Sequence, residues 1–172
     1  NLLRGDLPLP LPLAVIQRDA LAGNLRWMQQ FAHEQGVELV PHGKTTMSPQ
    51  LFAAQLAAGA WGITFANVTQ ARLGLAAGVR HALIANQVVG EAKVTRLAQL
   101  DQRAHIGVAV DHIDQVAAIS RAASSVGATV HLLVEFDIGM GRCGVAAGAP
   151  ALDLARRMAD LPGVRFAGLQ AY

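Results

Sequence analysis

The chain has 172 residues, 52% of them hydrophobic and 15% charged, with a formal net charge of +2. This excludes a disordered chain and supplies enough material for one sizeable core but little for two. Scattered cations and scarce aromatics exclude a nucleic-acid face, and the lone Cys143 excludes an internal disulfide and fits a reducing, cytoplasmic compartment. In chain order, Pro8, Pro10 and Pro12 make residues 1–18 an extended lead-in, with a short strand at Leu13–Ile16. The prolines stand where a signal peptide would need an unbroken apolar run, and no later run is long enough to span a bilayer, so no membrane partner is expected. Asp19 is the expected cap of a helix to about Gln35, with Leu21, Leu25, Met28 and Ala32 on one face.

From there one unit recurs: a glycine that stops a helix, then a short apolar run. Gly36 precedes ELV, Gly59 precedes GITF, Gly78 precedes ALIA, Gly127 precedes VHLLVEF and Gly163 precedes FAGLQ. A further strand, His105 to Val110, has the same texture without the glycine. Runs this apolar suit parallel strands buried on both faces. The intervening helices read as Ser48–Ala58, Asn67–Ala77, Gly90–Leu100, His112–Ser125 and Ala149–Leu161, with Ser48 and Pro49 as cap and first turn. The regular alternation fits an open doubly wound sheet or a (β/α)8 barrel of TIM type, here incomplete, with about six of eight strands in residues 19–172. Six parallel strands left open would expose two edges, so the chain is expected to be part of a longer protein.

The stretch VELVPHGKTTMSP carries the first chemical signal. A lysine directly after an apolar strand is unusual. A phosphate-binding loop would need glycine at position 38, which is Glu38, so that motif is excluded. In a parallel barrel the carboxyl ends of the strands form the active face, and Lys44 belongs to it. An amine in an apolar mouth is a usable nucleophile, and its natural chemistry is a Schiff base with a carbonyl, pyridoxal phosphate being the common partner. A solvated lysine at a helix start is the other reading of Lys44 taken alone.

Further polar groups fall at strand ends. Asn67 follows the second barrel strand, Asn86 and Gln87 the third, and Gln170 and Tyr172 the sixth. Glu135, Asp137, Arg142 and Cys143 follow the fifth. Singly, each has a structural reading: a helix start, an ion pair for Glu135 and Asp137, a small buried thiol for Cys143. Together they ring one face. The six histidines show no metal-ligand spacing, His105 and His112 falling on a strand and a helix start and the others isolated.

PHGKT, VEFDIGMGRCGV and GLQAY in this order resemble the D-threonine aldolase and D-serine dehydratase family, which is pyridoxal-phosphate-dependent and built on an alanine-racemase-type barrel. The resemblance covers nearly the whole chain. It implies that Lys44 is the Schiff-base lysine, that Arg142 reaches the cofactor's phenolic oxygen and that Tyr172 lies beside its pyridine ring. Asn67 and Asn86 match pocket-lining positions, and His42 is placed to orient the lysine or the substrate. Val40 stands where the family has arginine, and Thr46-Met47 where it often has histidine, which leaves substrate choice open. The implied activity is dehydration or aldol cleavage of a small D-amino acid with a β-hydroxyl, by a homodimer. A divalent metal, where used, would come from a C-terminal β domain absent from this sequence. A racemase and a non-catalytic pyridoxal phosphate carrier are the alternatives.

Overall fold

The computed structural model describes residues 12–172, so Pro8 and Pro10 of the lead-in lie outside the described residues. The described residues divide into two compact units, one ending at Val37 and the other spanning Glu38–Tyr172. In the first, the strand expected at Leu13–Ile16 does not form. These residues are irregular, exposed and unpaired with any strand, and β-propensity without a neighbour to pair with makes no strand. Helix α1 spans Arg18–Glu34. Its cap is Gln17, with no side-chain bond, and the expected cap Asp19 lies inside the first turn, where its charge still suits the helix N-terminus. Of the predicted apolar face, Ala32 is buried, Leu21 and Leu25 are half-buried and Met28 is exposed. The Trp27 and Phe31 rings stack 5.7 Å apart.

The second unit is the repeating one. Its elements are α2 (Pro49–Ala57), β1 (Ile63–Phe65), α3 (Val68–Ala76), β2 (His81–Gln87), α4 (Glu91–Asp101), β3 (His105–Val110), α5 (Ile113–Val126), β4 (Val130–Phe136), α6 (Ala149–Ala159) and β5 (Val164–Ala171). The helix-stopping glycines behave as expected: Gly59, Gly78, Gly127 and Gly163 all have positive φ. Ser48 caps α2, its hydroxyl accepting from Leu51 N. The five strands form one parallel sheet in the order β1-β2-β3-β4-β5. Every crossover steps to the next neighbour and the order never reverses. This is the winding of a barrel, not of a doubly wound sheet.

The expected first barrel strand, Glu38–Val40, is not a regular strand, and Pro41 is the cause. Thr64 N donates to Pro41 O and Gly43 N to Thr64 O, both at 2.8 Å, giving one parallel bridge between His42 and Thr64. The next bridge would need the N–H of residue 41, which proline lacks. Trp61 N turns to Leu39 O instead, at 2.9 Å, and the Thr64 hydroxyl donates to Val40 O at 2.6 Å. Residues 38–43 thus occupy a sixth strand position beside β1 without a ladder.

Alternation on the strands sorts the side chains. Ala82 and Ile84 of β2, Ile106, Val108 and Val110 of β3, and Val130, Leu132 and Val134 of β4 are buried in one cluster with Leu97, Ile119 and Met158 of the helices. Phe52 of α2 meets Phe65 edge-on at 5.6 Å. The opposite face carries His81, Leu83 and Ala85 of β2 and His131, Leu133 and Glu135 of β4.

Candidate active site

The site is built around a buried glycine. A Cβ on Gly43 would lie 2.7 Å from both Ile63 Cγ2 and Phe52 Cε1, so only glycine lets the backbone pass this close to the core. The chain then turns sharply, Met47 N donating to Gly43 O at 2.9 Å with Met47 at a left-handed φ of 47°. Lys44 stands on this turn with its side chain exposed, not sunk in an apolar mouth as expected.

A cavity of about 620 Å³ opens beside it, within the range of small-molecule sites. His42, Lys44, Thr64, Arg142, Gln170 and Tyr172 supply its polar wall, and Leu83, Ala85 and Leu133 its apolar one. Four residues expected from the sequence, Lys44, His42, Arg142 and Tyr172, therefore meet at one place. His42 and Lys44 come from one edge of the sheet, Tyr172 from the other, and Arg142 from the loop after β4. The Arg142 guanidinium lies over the Tyr172 ring, 5.3 Å from its centroid. Two cations line the cavity and no carboxylate does, so it favours an anionic guest.

Asn67 and Asn86 are not among the lining residues. The Asn67 side chain caps α3, accepting from Gln70 N at 2.9 Å. Asn86 donates to Ala66 O at 3.3 Å, tying the ends of β1 and β2 together. Glu135 does not form the ion pair considered for it. Buried at 4% exposure, it accepts from Gln87 Nε2 at 2.7 Å. Gln87 Oε1 and Gln170 Oε1 are buried without partners; of the two only Gln170 lines the cavity, where a bound guest could supply the donor. Asp137 also lacks an ion pair; its carboxylate accepts backbone N–H groups of its own loop, from Gly139 at 2.9 Å and Gly141 at 3.1 Å. Those bonds hold its carboxyl below the usual range, Gly141 contributing most. Cys143 is a free thiol, half-buried beside Arg142.

Sequence reasoning treated His81 and His131 as isolated, and the structure corrects this. On the sheet's inner face, at the amino ends of the strands, His81 stacks on Trp61 (4.4 Å) and lies 5.9 Å from His105, which lies 4.0 Å from His131. Burial lowers the pKa of His105, helped by His81, and that of His131, helped by His105 and Arg165. The signal was available, since each histidine occupies an inward register position near the start of its strand.

A parallel sheet wound in sequence order, with an amine and a guanidinium at the carboxyl ends of its strands, defines one sector of a (β/α) barrel and its active face. Residues 16–172 match the family described as alanine racemase, N-terminal domain, and the chain belongs to that family. It is 44% identical over 161 residues to a D-threonine aldolase of Arthrobacter sp, covering 94% of this chain and 42% of that protein. Among solved structures it is similar to D-threonine aldolase from Filomicrobium marinum, with 41% identity, a TM-score of 0.92 and coverage of 94% and 44% of the two chains. D-threo-3-hydroxyaspartate dehydratase from Delftia sp. HT23 follows at 34% identity and TM-score 0.84, covering 95% and 44%, and a variant of a dehydratase of that name is described in a metal-free form. The chain spans less than half the length of these relatives.

Proposed function

We propose that this chain is the cofactor-holding part of a pyridoxal-phosphate-dependent lyase acting on D-amino acids with a β-hydroxyl. The observation that carries the reading is the meeting of Lys44 with Arg142 and Tyr172 in a cavity of two cations and no lining carboxylate. The relatives named as an aldolase and a dehydratase support a lyase over a racemase or a carrier.

The residues fit the cofactor. Lys44 offers the amine, Arg142 a cation for a fixed anionic oxygen, Tyr172 a ring face, and Gln170 an unpaired acceptor at the cavity wall. When bound, pyridoxal phosphate supplies an aldehyde for amines and an electron-withdrawing ring for the charge that develops at Cα. The remaining work belongs to the chain. Gly43 and the 43–47 turn present Lys44 Nζ, and the Thr64 hydroxyl fixes the segment before it through Val40 O. Lys44 Nζ would hold the cofactor's carbonyl and, when free, would be the base that moves the Cα proton in dehydration. Leu83 and Leu133 shield the reacting side from water. Among the described residues, no group of three or more His, Cys, Asp and Glu side chains is arranged to hold a metal.

Borohydride reduction of the cofactor-loaded full-length protein, followed by peptide mapping, tests the reading. Label should appear on Lys44. Label on Lys93, the other lysine of the sequence, or no release of 2-oxo acid or aldehyde from D-serine or D-threonine would overturn it.

A further inference from the structure

We propose that Asp137 is a positioning residue for Arg142: its carboxylate is the template on which the 137–145 loop folds, and through that loop it sets the guanidinium over Tyr172. Its catalytic meaning rests on the lyase reading, but the geometry stands without it.

Asp137 directly follows the last residue of β4. Its Oδ1 accepts from Gly139 N at 2.9 Å and Gly141 N at 3.1 Å, and its Oδ2 accepts from Gly141 N at 3.2 Å. Both oxygens thus hold the residue that immediately precedes Arg142. Charge-assisted bonds to backbone N–H groups are the strong kind. The loop's return is stitched to its start: Asp137 N donates to Val145 O at 2.9 Å and Val145 N to Glu135 O at 3.0 Å. A second carboxylate, Asp111 after β3, accepts from Gly144 N at 3.0 Å. Gly144, at φ +102°, runs so close to the loop's start that a Cβ there would lie 2.7 Å from Asp137 N. The path from Asp137 to Val145 is therefore over-determined, and Arg142 is the long side chain it delivers to the cavity.

Asp137 does not line the cavity and makes no ion pair among the described residues. Its charge is spent on the loop's own donors, so it is not placed to touch a substrate or to act as a base. Asparagine in its place keeps one acceptor oxygen for Gly139 and Gly141 but loses the charge and the second oxygen. Alanine loses all three bonds. The expected effects are therefore graded.

The test uses the full-length protein and two independent readouts. The first is NMR of the Arg142 side chain, whose proton resonances should carry a ring-current shift from Tyr172 that Tyr172→Leu abolishes. Asp137→Ala should abolish the shift as well, and Asp137→Asn should reduce it. The second is a double-mutant cycle on kcat. Asp137→Ala should lower kcat by about tenfold or more in the native background, but by less than about twofold once Arg142 is alanine. A ring-current shift that survives Asp137→Ala, or equal losses in both backgrounds, overturns the proposal. Should Asp137→Ala fail to fold, Asp137→Asn carries both comparisons. A full-length protein without lyase activity would sink the functional reading and leave the NMR arm to decide the positioning role.

Discussion

Gly43→Ala should damage the core and displace Lys44 together. The added Cβ would sit 2.7 Å from Ile63 Cγ2 and from Phe52 Cε1, where ordinary contact lies at 3.4–4 Å. Ile63 is 0% and Phe52 1% exposed, so neither side chain has free space to retreat into and each must yield by several tenths of an ångström. Overpacking of this kind costs about 1–3 kcal/mol. For about 150–250 residues each kcal/mol lowers Tm by about 2–4 °C, and for a longer full-length protein by less. Lys44 is the next residue, and a displacement of about 1 Å is enough to cost on the order of a hundredfold in rate. The assay pairs a thermal melt of the full-length protein with the extent of borohydride trapping at Lys44. Gly23→Ala is the control: it lies inside α1, where an added Cβ meets nothing within 4 Å, and should stabilise slightly. A Gly43→Ala protein that melts and traps like the native one would refute the close-packing argument.

Arg142→Lys replaces a planar fork over the Tyr172 ring by a flexible point charge, so the bound cofactor's absorbance should shift and kcat should fall with KM little changed; a rise in KM alone, with an unaltered spectrum, would assign Arg142 to the substrate instead. Acid should weaken the fold through the histidine row. The unfolded chain takes up protons at the ordinary histidine pKa of 6.5, which the folded His105 and His131 resist, so stability falls as pH drops below that value. Asp101 works in the opposite sense. Burial pushes it up to about 6 from 3.8, the folded state takes its proton first, and part of the loss is offset as pH falls through that interval. Asp101→Asn should therefore steepen the acid loss seen by urea unfolding at about pH 7 and about pH 5, and equal losses in the variant and the native protein would contradict the assignment.

The repeating part of the fold was legible because its signals are local. A glycine at positive φ just ahead of an apolar run marks a helix end at Gly59, Gly78, Gly127 and Gly163, and a short apolar run marks a buried strand. Ser48 announced its own helix for the same reason. What the sequence hid was set by partners. Residues 38–40 look like a strand, but the ladder fails at one missing N–H, on Pro41. Leu13–Ile16 look like another and find no neighbour. Asn67 and Asn86 sit at strand ends like pocket residues, yet their amides are consumed by a helix cap and a strand tie. Asp137 reads as a possible ion pair because the curl of its loop toward its own carboxylate is invisible until the backbone is traced. The row of histidines was hidden by distance along the chain, although their inward positions were in plain view.

The strand order has a consequence for how the site comes into being. Each crossover lays its strand against the one just made, so the sheet grows in one direction from residues 38–43 to β5. The cavity is walled by the two ends of that growth, Lys44 from the oldest edge and Tyr172 from the newest. During synthesis the lysine emerges early but does not face Tyr172 until β5 has been added and the sheet has curled round. The cavity therefore appears as a step, once β5 is in place, and only on chains wound without an error of order. An intact cavity reports correct winding as far as β5, because no chain that stops short of β5 contains both of its walls.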